Sequence, residues 1–132
     1  MCKPLGLGLD LCEISRMEKM LADERFLGRY FTAQEAAYIR SRGAFAAESM
    51  AGIWAAKEAV LKAAGTGIRL PLKEVEILHD ELGVPVCRLH GQSAEQLKGT
   101  YMLSITHEGG MAAAVCLRMQ DEYAGIAGDD SR

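Results

Sequence analysis

The sequence predicts an α+β domain in which one long helix packs on an antiparallel sheet. The helix is predicted from a proline-free, alanine-rich run between about Phe45 and Ala64, which stops at Gly65. The first strand is predicted because residues 5–11 alternate leucine with glycine or aspartate, the two-residue period of a strand. Further strand-like segments follow the helix, at residues 75–78, 84–89, 102–105 and 111–117.

Local signals predict the shorter elements. Apolar residues recur at helical spacing over residues 13–21, so a helix is expected directly after the first strand. Thr32 and Glu35 have the spacing of a capping box and predict a second helix that runs to about Arg42. A short helix is expected near residues 93–97, between two strands.

The chain of 132 residues is long enough for one domain, which we expect to span residues 1–120. Residues 121–132 are acidic and rich in small residues, so they are expected to form a flexible tail. The first residues lead directly into a strand pattern that is too short for an export or membrane segment. The four cysteines lack CxxC spacing and are expected to be reduced thiols in a cytoplasmic protein: Cys2, Cys12, Cys87 and Cys116.

The formal net charge of −3, from 15 basic and 18 acidic residues, excludes a general attraction to nucleic acids or anionic membranes. Aromatic residues make up only 6% of the chain, which argues against a surface that stacks nucleic-acid bases. Any recognition of a charged partner must therefore use a local patch.

Two carboxylates that are distant in sequence are candidate ligands of a metal ion. Asp10 follows a glycine-rich strand, and Glu58 lies in the long helix with Lys62 one turn later. Magnesium uses one or two protein carboxylates and takes substrate phosphate oxygens for the rest, so this set suits a phosphate-transferring site. The alternatives are that Asp10 only caps a helix start and that Glu58 only pairs with Lys62 on the surface.

Two other segments are candidates for phosphate binding. Gly65, Thr66 and Gly67 could bring backbone amides to a phosphate, although such a sequence is often only a helix C-cap. The hydroxyls of Ser104 and Thr106 and the imidazole of His107 are suitable donors, although they could equally form an ordinary hairpin end. The histidine spacing excludes a zinc site, and no G-x-S-x-G motif supports a nucleophilic serine.

The order of these motifs resembles the holo-acyl-carrier-protein synthase family of phosphopantetheinyl transferases. The segments, in chain order, are GLGLDLCEISR, FTAQE, WAAKEAVLKAAGTG, ELGVPV and SITHEGGMAAAV. The resemblance covers about residues 5–118 and implies the 4′-phosphopantetheinyl transferase-like fold.

The resemblance implies transfer of 4′-phosphopantetheine from coenzyme A to a serine of an acyl carrier protein, with Mg²⁺ as cofactor, in fatty acid biosynthesis. Asp10 and Glu58 match the magnesium ligands, and Glu58 is the candidate base. Lys62 matches a lysine near the coenzyme A diphosphate. The resemblance places six further residues on coenzyme A: Gly65, Thr66, Gly67, Ser104, Thr106 and His107.

The resemblance also implies a protein partner and an assembly. Arg16 matches an arginine that engages the acidic carrier protein, with Arg25 and Arg29 as weaker candidates. The assembly implied is a homotrimer with sites between subunits. Ile53 departs from the pattern, because some members carry an arginine there that helps to bind coenzyme A; Arg69 or Lys73 could replace it, or the affinity could be lower.

Three other functions fit parts of this pattern. A metal-dependent phosphohydrolase would use the same carboxylates but would need no carrier protein. A binding module without activity would have no need of Asp10, Glu58 and Lys62 together. A transferase of the same class could act on a polyketide carrier instead.

Overall fold

The computed structural model describes residues 3–65 and 70–121 of the chain. Thr66, Gly67 and Arg69, the predicted tail after residue 121 and Cys2 lie outside these residues. The strands are β1 (Pro4–Glu13), β2 (Val75–His79), β3 (Pro85–Leu89), β4 (Thr100–Glu108) and β5 (Met111–Met119). The helices are α1 (Ile14–Met20), α2 (Glu24–Tyr30), α3 (Ala33–Ser41), α4 (Ala46–Ala63) and α5 (Gly91–Gln96). Among the described residues, none of the helices combines the length and apolarity that crossing a bilayer requires.

The predicted fold class is confirmed, because α4 packs on an antiparallel sheet of three strands in the order β1-β5-β4. The remaining strands, β2 and β3, form a separate antiparallel pair. In the main sheet Asp10 pairs with Ala114, which pairs on its other side with Ile105. Gly109 and Gly110 have φ angles of 56° and 80°, which allows the tight turn between β4 and β5.

The predicted boundaries are accurate for the helices that carry strong signals. The long helix is one residue shorter at each end than predicted, and α3 has the predicted capping box. Thr32 Oγ1 accepts a hydrogen bond from Glu35 N at 3.1 Å, and Glu35 Oε1 accepts one from Thr32 N at 2.8 Å. Helix α2 was not predicted, because it has only seven residues and includes Gly28.

The end of the first strand was predicted wrongly. The strand predicted over residues 5–11 continues two residues further, and its last residue, Glu13, is the N-cap of α1. Asp10 is therefore a strand residue and does not cap a helix. The cause is that β1 pairs with β5 along its whole length, up to Glu13 opposite Met111, and this pairing outweighs the local helical pattern.

Strand β1 lies unusually close to α4, and its glycines make this possible. A Cβ atom at Gly6 would lie 1.8 Å from the carbonyl oxygen of Ala63, and one at Gly8 would lie 1.9 Å from that of Ala59. These glycines therefore admit the backbone of the helix rather than a ligand. Their spacing of two residues places both on the face of the strand that carries Asp10.

Replacing Gly8 with alanine is expected to lower the free energy of unfolding by about 1–3 kcal/mol, because the strand must move away from the helix. Chemical denaturation monitored by circular dichroism measures the loss. The control is Gly28→Ala, where an added Cβ meets nothing within 4 Å and a gain of up to about 1 kcal/mol is expected. Equal stabilities of the two variants would contradict this account of β1.

Lys57 is buried inside the domain. Its side chain is 0% exposed, and its Nζ lies 2.8 Å from Glu35 Oε1 of α3. The same ammonium donates to the carbonyl oxygens of Leu72 at 2.8 Å and Val75 at 2.7 Å. Because an ammonium group has three N–H donors, all of them are used. The ion pair therefore joins α4 to α3 and to the start of β2.

The histidine side chains differ in exposure, and the cysteine thiols are buried or partly buried. His90 is exposed, whereas His79 is half-buried and stacks on the ring of Tyr38 at a centroid distance of 4.3 Å. Within the described chain the cysteines form no disulfide. Burial raises the pKa of the Cys87 and Cys116 thiols to about 12, so neither thiol is a ready nucleophile.

Candidate active site

Asp10 and Glu58 approach each other where β1 packs on α4. Asp10 lies on the inner face of the sheet and its side chain is 17% exposed. Glu58 is half-buried in the last third of α4. Burial raises the pKa of Glu58, and the negative charge of Asp10 raises it further. The tertiary structure therefore brings together two carboxylates that lie far apart in the sequence.

Lys62 contacts the acid on the strand. Its Nζ lies 3.1 Å from Asp10 Oδ1 and donates to the carbonyl oxygen of Leu9 at 3.0 Å. Lys62 of α4 thus forms its ion pair with Asp10 of β1. The alternative, an ion pair with Glu58 one turn earlier in the same helix, is not the contact observed. The ammonium lies directly beside the two carboxylates, where it can also interact with a bound anion.

The donor set suits a hard divalent cation. Two carboxylates that repel each other offer oxygen ligands, and a cation between them would relieve the repulsion that raises the pKa of Glu58. Over residues 3–65 and 70–121, no group of three or more histidine, cysteine or acidic side chains is arranged to hold a metal ion. A cation at Asp10 and Glu58 would therefore take its other ligands from water and substrate, as Mg²⁺ commonly does.

The end of α4 has the geometry of a glycine C-cap. Gly65 has a φ angle of 74°, and its N–H donates to the carbonyl oxygen of Lys62 at 3.0 Å. This accounts for Gly65 in structural terms and leaves its predicted contact with coenzyme A as a prediction. Thr66 and Gly67, predicted to bind with it, lie outside the described residues.

Ser104 and Thr106 lie on the opposite face of the sheet from Asp10. Ile105 is in register with Asp10 through Ala114, and successive residues of a strand point to opposite faces. Both hydroxyl residues are exposed on the outer face, away from α4. Within one chain they are therefore separated from the two carboxylates by the thickness of the sheet.

His107 lies on the inner face, but against the first half of α4. A carbonyl oxygen only accepts hydrogen bonds, so His107 Nε2 donates to the carbonyl oxygen of Glu48 at 3.0 Å. An added Cβ at Gly52 would lie 3.1 Å from this nitrogen, so the glycine gives the ring room to approach. The strands of His107 and Asp10 are two positions apart in the sheet, which separates them by about 10 Å. His107 is in register with Cys12 through Ala112, so it is also displaced from Asp10 by two residues along the strands.

A cavity of about 420 Å³ opens beside His107. Its wall includes Arg42, whose guanidinium lies 5.8 Å from the ring of Tyr38, and Tyr38 in turn stacks on His79. The cavity was not predicted from the sequence, because its lining comes from α3, α4, β4 and the segment that joins β2 to β3. A single local pattern cannot connect these segments.

The structure also bears on the departure at Ile53. Ile53 is part of the buried core, so its side chain does not line the cavity. Lys73, one proposed replacement, donates to the carbonyl oxygen of Gly28 at 2.7 Å and lies elsewhere. Arg69, the other, lies outside the described residues. Among the described residues that line the cavity, Arg42 is the arginine, and no sequence pattern predicted it there.

The three arginines predicted to face a protein partner surround a group of aromatic rings. The Arg16 guanidinium lies 5.3 Å from the centre of the Trp54 ring, and Trp54 contacts Phe26 and Tyr30 of α2. Arg25 and Arg29, one helical turn apart, flank a shallow pocket on the same helix. The positive charge of Arg16 also acts on Glu58, where it opposes the rise in pKa. A basic, partly aromatic surface thus borders the acid pair.

Comparison with known proteins gives the same family by sequence and by structure. The model of the 4′-phosphopantetheinyl transferase superfamily matches residues 6–116. The holo-acyl-carrier-protein synthase of Treponema denticola is 42% identical over 86% of this chain and 96% of that protein. The synthase of Caldicellulosiruptor saccharolyticus is 38% identical over 89% of this chain and 98% of that protein.

Solved structures have the same fold. The complex of the Chronobacterium ammoniagenes synthase with coenzyme A superimposes with a TM-score of 0.75 at 30% identity, over 87% of this chain and 97% of that chain. The Helicobacter pylori synthase in complex with coenzyme A gives a TM-score of 0.74 at 27% identity, over 85% and 98% of the two chains. The chain therefore belongs to the 4′-phosphopantetheinyl transferase superfamily, among the holo-acyl-carrier-protein synthases.

Proposed function

We propose that this chain transfers 4′-phosphopantetheine from coenzyme A to a serine of apo-acyl carrier protein, with Mg²⁺ as cofactor. The observation that carries the proposal is the approach of Asp10 and Glu58, with Lys62 beside them, in a member of this transferase family. The reaction would occur in the cytoplasm and support fatty acid biosynthesis. The relatives solved with coenzyme A support the choice of donor.

In the proposed reaction the serine hydroxyl oxygen attacks the β-phosphorus of coenzyme A. The bond from this phosphorus to the bridging oxygen breaks, and adenosine 3′,5′-bisphosphate leaves. Asp10 and Glu58 would hold Mg²⁺, which neutralises charge on the diphosphate. Glu58 accepts the serine proton as the general base. Lys62 stabilises the negative charge on the departing phosphate.

The cavity beside His107 supports the binding of a nucleotide. Its volume of about 420 Å³ lies within the range of small-ligand sites, roughly 300–1,000 Å³. Stacked aromatic rings and the basic side chains of Arg42 and His107 suit a base and a phosphate. We propose that Gly65, Thr66, Gly67, Ser104 and Thr106 complete the contacts with coenzyme A.

We further propose a homotrimer in which the complete site lies between subunits. The predicted coenzyme A contacts lie on two faces of one chain, so a ligand that reaches all of them needs a second copy. The outer face of the sheet also exposes a row of apolar side chains that a second copy would cover. These are Leu5, Leu7, Leu9, Leu11, Met102 and Val115.

The substitution Leu9→Glu is expected to dissociate the assembly, because it introduces charge into the centre of the apolar face, where Leu9 is 61% exposed. Sedimentation velocity measures the mass, and activity should fall with it. The control is Leu82→Glu, at a leucine that is 88% exposed in the turn between β2 and β3. If Leu9→Glu sediments like the unmodified protein, the interface is elsewhere.

Arg16→Ala is expected to raise the KM for the carrier protein about ten-fold and to leave the KM for coenzyme A nearly unchanged. The reason is that Arg16 faces solvent on the basic surface that borders the acid pair. Steady-state kinetics at two salt concentrations test this, because salt should raise the KM for the carrier in the unmodified protein and less in the variant. Arg88→Ala, at an exposed arginine of β3, is the control. Equal rises in both constants would contradict the assignment.

Mass spectrometry of apo-acyl carrier protein incubated with the enzyme, coenzyme A and Mg²⁺ tests the whole proposal. A gain of about 340 Da on one serine is the expected product. Release of phosphate or cleavage of coenzyme A without carrier protein would indicate a phosphohydrolase instead. Binding of coenzyme A without any turnover would indicate a binding module.

A further inference from the structure

The ammonium of Lys62 would compete with a metal ion for the carboxylate of Asp10. Its ammonium lies 3.1 Å from Asp10 Oδ1 and 3.0 Å from the carbonyl oxygen of Leu9. A positive charge on this carboxylate repels a second cation and uses one of the directions in which the oxygen can be a ligand. The contact therefore opposes metal binding while it lasts.

The contact is also easily exchanged. The Lys62 side chain is 54% exposed, against 17% for Asp10, so the lysine can turn into solvent while the acid stays in place. Asp10 is held because β1 packs through Gly8 on the backbone of α4. An exposed ion pair of this kind contributes little to stability, so breaking it is not a large obstacle.

The charges around the acid pair indicate which ligand would draw Lys62 away from Asp10. The two carboxylates, Asp10 and Glu58, are balanced by two basic side chains, Lys62 and Arg16, which both act on Glu58. A divalent cation alone would leave two excess positive charges in a half-buried site. The diphosphate of coenzyme A carries two negative charges and would remove this excess.

We propose that Lys62 couples metal binding to diphosphate binding. Its ammonium neutralises Asp10 when the site is empty, and it moves to the diphosphate when coenzyme A arrives, which releases the carboxylate for the metal. This inference rests on the proposed function. By linkage, the metal and coenzyme A then increase each other's affinity, and Lys62 is the residue through which much of this coupling acts.

The test measures binding of Mn²⁺, a divalent probe that is visible by electron paramagnetic resonance, with and without coenzyme A. In the absence of coenzyme A, Lys62→Met is expected to bind Mn²⁺ about ten-fold more tightly than the unmodified protein. The gain in Mn²⁺ affinity on adding coenzyme A should be about ten-fold smaller in the variant. If Lys62→Met does not fold, the same measurements are made on Lys62→Gln.

The control is Lys73→Met, which removes the same charge from a lysine that also donates to a backbone carbonyl, at 2.7 Å from Gly28 O. It should leave both Mn²⁺ affinities unchanged. Suppose that Lys62→Met has the same Mn²⁺ affinities as the unmodified protein, both with and without coenzyme A, and that the unmodified protein still modifies the carrier. The coupling role of Lys62 is then refuted, and the proposed function is not. If the unmodified protein neither transfers phosphopantetheine nor binds Mn²⁺ with coenzyme A, the proposed function fails and this inference fails with it.

Discussion

Glu58→Gln is expected to lower the rate of phosphopantetheine transfer by about 10³-fold, which corresponds to about 4 kcal/mol of lost transition-state stabilisation. The amide cannot accept the serine proton and is a poorer ligand for Mg²⁺. Asp10→Asn should cause a loss of similar size, because it removes the other proposed ligand. Single-turnover assays at saturating coenzyme A and carrier protein measure the change.

The same substitution is expected to leave the free energy of unfolding unchanged or slightly higher. Burial and the charge of Asp10 raise the pKa of Glu58 above its value in the unfolded chain. Between these two pKa values the folded state binds more protons, so its stability falls as the pH rises through this window. Above this window the ionised Glu58 therefore weakens the metal-free protein, and a neutral glutamine removes that effect.

The control for Glu58→Gln is Glu95→Gln, which changes the charge equally on the exposed surface of α5. It should keep both activity and stability. Transfer by Glu58→Gln at more than a tenth of the normal rate would contradict the roles of Glu58 as base and ligand. A large loss of stability would show instead that Glu58 is part of the structural framework.

Lys57→Met is expected to destabilise the fold by about 3–5 kcal/mol, because it leaves the carboxylate of Glu35 buried without a counter-charge. Burial lowers the pKa of Lys57 and raises that of Glu35, and the attraction between the two opposes both shifts. The carbonyl oxygens of Leu72 and Val75 also lose their donor. Urea denaturation measures the change.

A double-mutant cycle separates the charge from the packing. Lys57→Met with Glu35→Gln removes the uncompensated charge, so the double variant should lose less stability than the sum of the single losses. Lys98→Met, at an exposed lysine, is the control and should change the free energy of unfolding by less than about 0.5 kcal/mol. Simple additivity would contradict a direct interaction between the two side chains.

The sequence allowed accurate predictions wherever one segment contains the whole signal. Helix α4 was found because its alanines, its lack of proline and its terminal glycine all favour the same structure. The capping box at Thr32 was found because its two hydrogen bonds lie within four residues. The acid pair was proposed from chemistry and family resemblance, and the structure brings Asp10 and Glu58 together across β1 and α4.

Other features depend on several segments at once. The sequence predicted that Lys57 lies in a helix, but its burial depends on the packing of α3 and β2 against α4. Ser104 and His107 are three residues apart, yet the alternation of β4 sends them to opposite faces, and only the position of α4 makes one face the inner one.

The amino-acid sequence alone thus determined the fold class, the strong helix and the chemistry available at the site, because these depend on local pattern and residue type. The tertiary structure decided which charges are buried, where β1 ends and which face each phosphate-binding candidate occupies. These depend on contacts between segments far apart in the chain, whose free energy outweighs local preference.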